Sequence, residues 1–281
     1  MKTLTLLLGF IAIVCVPSAY AQQRPLVTED PETIGSGLVL IEGGFDLQKD
    51  VFYPASGLEG NLLRIPTLGV SFGVSSIAEL QIDGGIYNGL NVKSRRAAPL
   101  SDLLDFDGDH THDVEDMVIA TKIRLVGESP SRPAIGLRFA TKLPNASNES
   151  GLGLDTTDFY FSVLGGKTFG SWRVTGNAGL GILSNPLIGT IQDDAFVGGL
   201  ALARALTKQW DVVGEVTTQK VWFADVPPVG AEPLGEVRVA ARYRRGRARF
   251  DVGALAGFTE RSPSFGLIVG VTVVGQAFKG P

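Results

Sequence analysis

The sequence predicts an all-β protein: an antiparallel transmembrane β-barrel of about twelve strands with both termini periplasmic. Three observations carry this expectation. Apolar residues alternate with small, polar or charged ones along most of the chain, as where Phe159, Phe161 and Val163 face away from Tyr160 and Ser162. A period of two is the signature of a strand. Hydrophobic residues make up 44% of the 281-residue chain, yet beyond its first residues no stretch is apolar for the ~20 positions a membrane helix needs. Finally, short turns and longer links alternate between successive strands, the asymmetry of outer-membrane barrels.

The elements follow in order. Lys2, the apolar run from Leu4 to Val16 and Ala19-Tyr20-Ala21 before Gln22 read as a secretory signal over 1–21. Cys15, the chain's one cysteine, lies inside it, so disulfides and thiolate–metal sites are excluded from the remainder. Residues 22–34 form a polar, proline-containing lead-in, disordered or plug-like, and 35–278 form the barrel. The first strand, near 35–48, sets Val39, Ile41 and Phe45 against Glu42 and Asp46. The second, 59–75, sets Leu68, Val70, Phe72 and Val74 against Gly69, Ser71 and Gly73, with a bulge expected where the phase slips at Pro66. The third, 77–88, opposes Leu80, Ile82 and Ile86 to Glu79, Gln81 and Asp83.

The longest link, 89–113, comes next. The fourth strand, 114–126, opposes Ile119 and Ile123 to Lys122 and Arg124; the fifth, 133–143, opposes Leu137 and Phe139 to Arg138 and Lys142. The sixth and seventh form a hairpin around Phe169-Gly170-Ser171, with Trp172, Val174 and Leu180 opposite Arg173, Thr175 and Asn177. The eighth, 194–206, is rich in glycine and alanine, and its facing is ambiguous. The ninth, 209–222, sets Trp210, Val212 and Val216 against Asp211 and Glu215. The tenth, 234–245, sets Val237 and Val239 against Glu236, Arg238 and Arg242. The eleventh, 248–258, sets Phe250 and Val252 against Arg249 and Asp251, and the twelfth, 264–276, sets Leu267, Val269 and Val271 against Gly266, Gly270 and Thr272. Tyr53, Tyr87, Trp172, Trp210, Trp222, Phe258 and Phe278 lie near strand ends, where interfacial girdles are expected.

With the apolar faces turned to lipid, the lumen-lining residues are Glu42, Asp46, Glu79, Asp83, Lys122, Arg124, Arg138, Lys142, Arg173, Asp211, Glu215, Arg238 and Arg242. A basic wall between acidic walls produces a transverse field that orients dipolar or anionic solutes. The bland alternative is that these charges pair across strands and fill the interior. A soluble sandwich, in which the same charges form a solvated exterior, is the competing architecture.

Thr121-Lys122-Ile123-Arg124-Leu125, Ala140-Thr141-Lys142-Leu143-Pro144, and Gly151-Leu152-Gly153 leading into Thr157-Asp158-Phe159 give the chain its family likeness. In these motifs it resembles the bacterial outer-membrane transporter family named after the meta-pathway of phenol degradation. The likeness extends in layout over most of the chain and in motif over about 114–181. It implies a transport role in the outer membrane. The chain departs from the usual outer-membrane pattern at its end, where Lys279-Gly280-Pro281 follow Phe278.

The stretch Asp105-Phe106-Asp107-Gly108-Asp109-His110-Thr111-His112-Asp113 is dense in carboxylates and suggests a hard-cation loop. It carries His110 where such loops want glycine, and a solvated loop tip is the simpler reading. His110 and His112, the only histidines, fall within the long link, which offers no rigid scaffold for a hydrolase. No enzyme activity and no cofactor are therefore expected. A formal charge of −4 without a basic run gives no nucleic-acid footprint. The expected protein is a monomeric channel or uptake transporter for small, aromatic or anionic solutes in the cell outer membrane. Its expected partners are the solute, outer-membrane lipid, lipopolysaccharide and the barrel-assembly machinery. The alternatives are a structural or adhesive barrel with a plugged lumen, and an outer-membrane hydrolase.

Overall fold

The computed structural model describes residues 24–222 and 226–278; the expected signal segment 1–21 lies outside the described residues. The strands are β1 (Leu38–Tyr53), β2 (Leu58–Gly73), β3 (Ala78–Gly85), β4 (Asn88–Arg95), β5 (His110–Asp113), β6 (Val118–Val126) and β7 (Ala134–Lys142). They continue with β8 (Asp158–Phe169), β9 (Trp172–Ser184), β10 (Gln192–Ala205), β11 (Trp210–Val221), β12 (Leu234–Arg245), β13 (Ala248–Gly257) and β14 (Phe265–Gln276). All pairings are antiparallel. The wall runs β1-β14-β13 and so on down to β6, then β3 and β2, and β1–β2 pairing closes it. Closure leaves the wall no free edge, so backbone amides and carbonyls find partners within the sheet, as a hydrocarbon environment demands.

Twelve strands make this wall, because two of them are broken. β4 continues β3 beyond Ile86-Tyr87, and β5 leads into β6; β4 pairs with the far half of β2 and with β5. The 89–113 link is therefore not one loop. Most of β4, a 3-10 turn at Ser101–Leu103 and β5 lie within it, which puts His110 and His112 on a strand. Leu90 and Val92 fix this extension by packing inward on Val51, Leu58 and Leu62. Two alternating residues among Gly, Asn and Lys gave too short a period to be legible.

Two bulges reset the facing. Between Gly44↔Thr67 and Asp46↔Arg64, Ile65 and Pro66 oppose Phe45 alone, so the bulge falls at Pro66 as the phase slip predicts. Proline has no N–H to give the ladder. The second bulge lies between Gln48 and Val51, with Asp50 at φ 54°. It inverts the alternation, so Tyr53 packs on the inner Val51–Leu58 cluster and is not a girdle residue. Tyr87 stacks on the exposed His112 of the strand extension.

Elsewhere the two faces separate by parity. Ile41, Phe139, Phe161, Leu180, Val239 and Val271 are exposed, whereas Glu42, Glu79, Lys122, Asp211, Glu215 and Arg249 are buried. β10 resolves its ambiguity with Leu200 and Leu202 outward and Ala195 and Ala201 inward. Exposed aromatics gather toward both rims. Phe169, Trp172 and Trp210, the last against Tyr243 at 4.8 Å, lie by the short turns. Trp222, tilted on Phe196 at 5.7 Å, and Phe258 lie by the long loops. Leu38 pairs with Gln276, and Gly37 N–H donates to Gly73 O beside the β2–β3 turn. The chain thus enters and leaves the barrel at the short-turn end.

Candidate solute path

The interior is occupied along part of its length by residues 24–34. This segment has no place in the β-ladder, and side chains of the wall bind its backbone instead. Glu215 accepts from Val27 N–H at 2.7 Å and Thr28 N–H at 2.8 Å. Asn177 accepts from Glu29 N–H at 2.6 Å and donates back to Glu29 O at 2.8 Å. Glu79 accepts from Ile34 N–H at 2.8 Å, and Arg249 donates to Arg24 O at 2.5 Å. These partners come from β11, β9, β3 and β13, so the segment is held from several sides of the barrel.

Inward glycines make room for it. A Cβ on Gly199 would lie 2.5 Å from Thr28 Oγ1, and one on Gly270 would lie 2.6 Å from Arg24 Nε. Larger residues at these points would collide with the inserted chain.

The charges of the segment meet the charges of the wall. Glu29, itself buried, pairs with Lys122 at 3.1 Å and Arg138 at 3.2 Å; Lys122, without any exposed surface, also pairs with Glu79 at 3.0 Å. Asp30 takes a forked contact from Arg173, whose Nη2 donates at 2.7 Å, and Glu32 pairs with Arg124 at 2.5 Å. On the other side, Arg24 donates to Thr67 Oγ1 at 2.5 Å and pairs with Asp46 at 3.4 Å, which also holds Arg64 at 3.0 Å.

The remaining sequence-selected residues pair with the wall. Asp83 lies 3.7 Å from Arg138, and Lys142 binds Asp116 at 2.8 Å and Asp158 at 3.2 Å. Arg238 binds Glu236 at 2.8 Å and lies 3.8 Å from Glu215. Arg242 binds Asp211, and Glu42 accepts from Thr272 Oγ1 at 2.9 Å and pairs with Arg249 at 3.4 Å. Composition and period pick out these strand residues. They do not pick out Glu29, Asp30 and Glu32, because a segment without periodicity announces neither a face nor a partner.

In the β6–β7 turn, Glu128 binds Arg173 at 2.8 Å and accepts from Thr168 N–H at 2.7 Å. Burial pushes its carboxyl up, but the hydrogen bonds from Thr168 and Arg173 outweigh this and hold it below the ordinary value.

On the long-loop side of the segment lies a cavity of about 550 Å³. Its floor is Arg24 to Glu29; its sides include Asp46, Arg64, Asp83 and Glu115 on one part and Arg138, Lys142, Tyr160 and Gln219 on another. Loops fold inward over this end. Ser56 Oγ donates to Gly151 O at 2.8 Å, Thr111 Oγ1 donates to Ser150 O at 2.8 Å, and Ala231 packs on Leu183, Ala195 and Val221. Charged side chains of both signs line this volume, among them the pairs Arg64–Asp46, Arg138–Asp83 and Lys142–Asp116, a lining that can bind a polar solute.

The histidine pair stands apart from this interior. His110 bonds Tyr87 Oη at 3.1 Å and Asn91 Oδ1 at 3.0 Å, and stacks on His112 with ring centroids 6.1 Å apart. Among the described residues, no three His, Cys, Asp or Glu side chains gather as metal ligands.

No protein-family model and no curated protein matches the sequence. Solved structures do. The chain is similar to the COG4313 outer membrane channel from Pseudomonas putida F1 with a TM-score of 0.61 and 14% identity, over 87% of this chain and 98% of that one. It is similar to the NanC porin with a TM-score of 0.50 and 10% identity, over 86% of this chain and 99% of that one. At these identities the likeness is one of fold: a closed barrel of the outer-membrane type.

Proposed function

We propose that this chain is an outer-membrane channel for small polar solutes, closed in the present conformation by its own residues 24–34. The observation that carries the reading is the cavity of about 550 Å³ floored by that segment. A purely structural barrel has no need of a charge-lined cavity inside its wall, whereas a channel with a removable floor does. The fold shared with the Pseudomonas putida channel and the NanC porin supports the same reading, and so does the motif likeness to the phenol meta-pathway transporter family. The short-turn end, with both termini, faces the periplasm, and the long loops face lipopolysaccharide. The protein works as a monomer inserted by the barrel-assembly machinery.

The rival reading is a barrel whose lumen is permanently filled. The density of ion pairs between segment and wall favours it. Planar-bilayer recording separates the two. The full chain is expected to show rare or small openings, and deletion of residues 24–32 is expected to give steady conductance. Silence of the full chain beside a conducting deletion variant, with both barrels shown to be folded by heat-dependent mobility on a gel, would leave the filled barrel as the answer.

A hydrolase remains the third class. His110 donates to Asn91 Oδ1 and bonds Tyr87 Oη, which is not a Ser–His–carboxylate arrangement.

A further inference from the structure

Resting on the channel reading above, we infer that Glu29, Asp30 and Glu32 are a tethered stand-in for the solute. The strip they cover, Lys122, Arg124, Arg138 and Arg173, is the binding strip for small carboxylate anions.

The strip lies on one side of the barrel. Lys122 and Arg138 are directly paired across β6 and β7, Arg124 follows on β6, and Arg173 stands on β9. Three of the segment's carboxylates distribute over these four cations: Glu29 on Lys122 and Arg138, Asp30 on Arg173, Glu32 on Arg124. Arg24, the segment's own cation, goes to the opposite pole, against Asp46. The segment is thus sorted by charge: anions to the β6–β9 side, cation to the β1–β2 side.

Withdrawal of the segment has an electrostatic consequence. With it in place, the four cations face Glu29, Asp30 and Glu32 besides the wall's own Glu79, Asp83 and Glu128. Without it, only the wall's three remain. Lys122, completely buried with the segment in place, would lose one of its two carboxylates. Removing one partner from such a charge pair is costly. The segment therefore leaves readily only when another anion takes its place. A carboxylate solute reproduces the geometry already present, since an arginine fork and a carboxylate match in two parallel hydrogen bonds. Binding and opening become one exchange: solute carboxylate in, segment carboxylate out.

The test uses the full chain and the variant E29Q/D30N/E32Q in planar bilayers with a salt gradient. The triple variant is expected to conduct more than the parent, with a reversal potential of anion-selective sign. Adding K122Q and R138Q to it should reduce or abolish that selectivity. In the parent, millimolar citrate should raise the open probability, while the same ionic strength of chloride does not. A conducting triple variant that prefers cations, or a parent insensitive to citrate alongside an unselective triple variant, would overturn the inference while leaving the channel intact. Silence of the triple variant together with silence of the 24–32 deletion would instead remove the channel reading itself. Phosphate in place of citrate separates a carboxylate site from a general oxyanion site: equal opening by phosphate would overturn the carboxylate assignment.

Discussion

Glu215 shows what a single residue contributes. Its two carboxylate oxygens take consecutive backbone N–H groups of the inserted segment, Val27 and Thr28, and it sits buried on β11 with Arg238 3.8 Å away. Hydrogen bonds to a charged group contribute roughly 1.5–3 kcal/mol each. Glu215→Gln keeps one acceptor oxygen and loses the charge, so it should loosen the segment by about that amount. The measurement is maleimide labelling of a Thr28→Cys reporter, expected to be roughly 10- to 100-fold faster in the Gln variant. Unchanged labelling would mean that Glu215 does not hold the segment. Glu128 makes a pH-dependent contribution at the short-turn end. Its folded value lies below the ordinary one, so its contribution is complete above the ordinary carboxylate range and is lost as pH falls through the folded value. The urea midpoints of the parent and Glu128→Gln should therefore differ at neutral pH and converge as the pH falls below the ordinary carboxylate range.

Individual strands carry the division between lipid and lumen. On β12, Val237 and Val239 are exposed, while Arg242 is buried against Asp211. The same residue type therefore has opposite consequences an odd number of positions apart. A Val239→Arg change puts a cation in the lipid-facing band and should cost about 2–4 kcal/mol near the bilayer midplane. Unfolding by urea in phospholipid vesicles measures it, and a cost near zero would place Val239 away from the hydrocarbon. The bulge at Asp50 shows how local backbone geometry overrides a clean period. Tyr53 has the sequence signature of an interfacial aromatic, but one additional residue turns it inward. Sequence alternation cannot register such an inversion, because the extra residue is recognised only through its partner strand.

At the scale of the molecule, two kinds of bond hold two parts of the chain. The wall is a closed backbone ladder, continuous from β1 through β14 and back. The inserted segment hangs from side chains: Glu215, Asn177, Glu79 and Arg249. A ladder opens cooperatively, whereas side-chain anchors let go locally. In rising urea, labelling of Thr28→Cys should consequently accelerate at lower concentration than the loss of the heat-modifiable folded band. Coincident transitions would show the segment to be an integral part of the wall's folding unit.

The sequence by itself determined the barrel. A period of two sustained from 38 to 276, with no membrane-length apolar run and with alternating short and long links, admits few other closures, because each strand must hide one face from water and its backbone from lipid. It also marked the charged face of most strands, since parity alone separates Arg173 from Trp172 and Lys122 from Ile123. Only the tertiary structure decided what those charges meet. That Lys122, Arg124, Arg138 and Arg173 are covered by Glu29, Asp30 and Glu32 depends on a segment far away in sequence turning into the lumen. Residues 24–34 bind through unlike side chains on different strands, and such long-range pairing leaves no repeat for a one-dimensional reading to find.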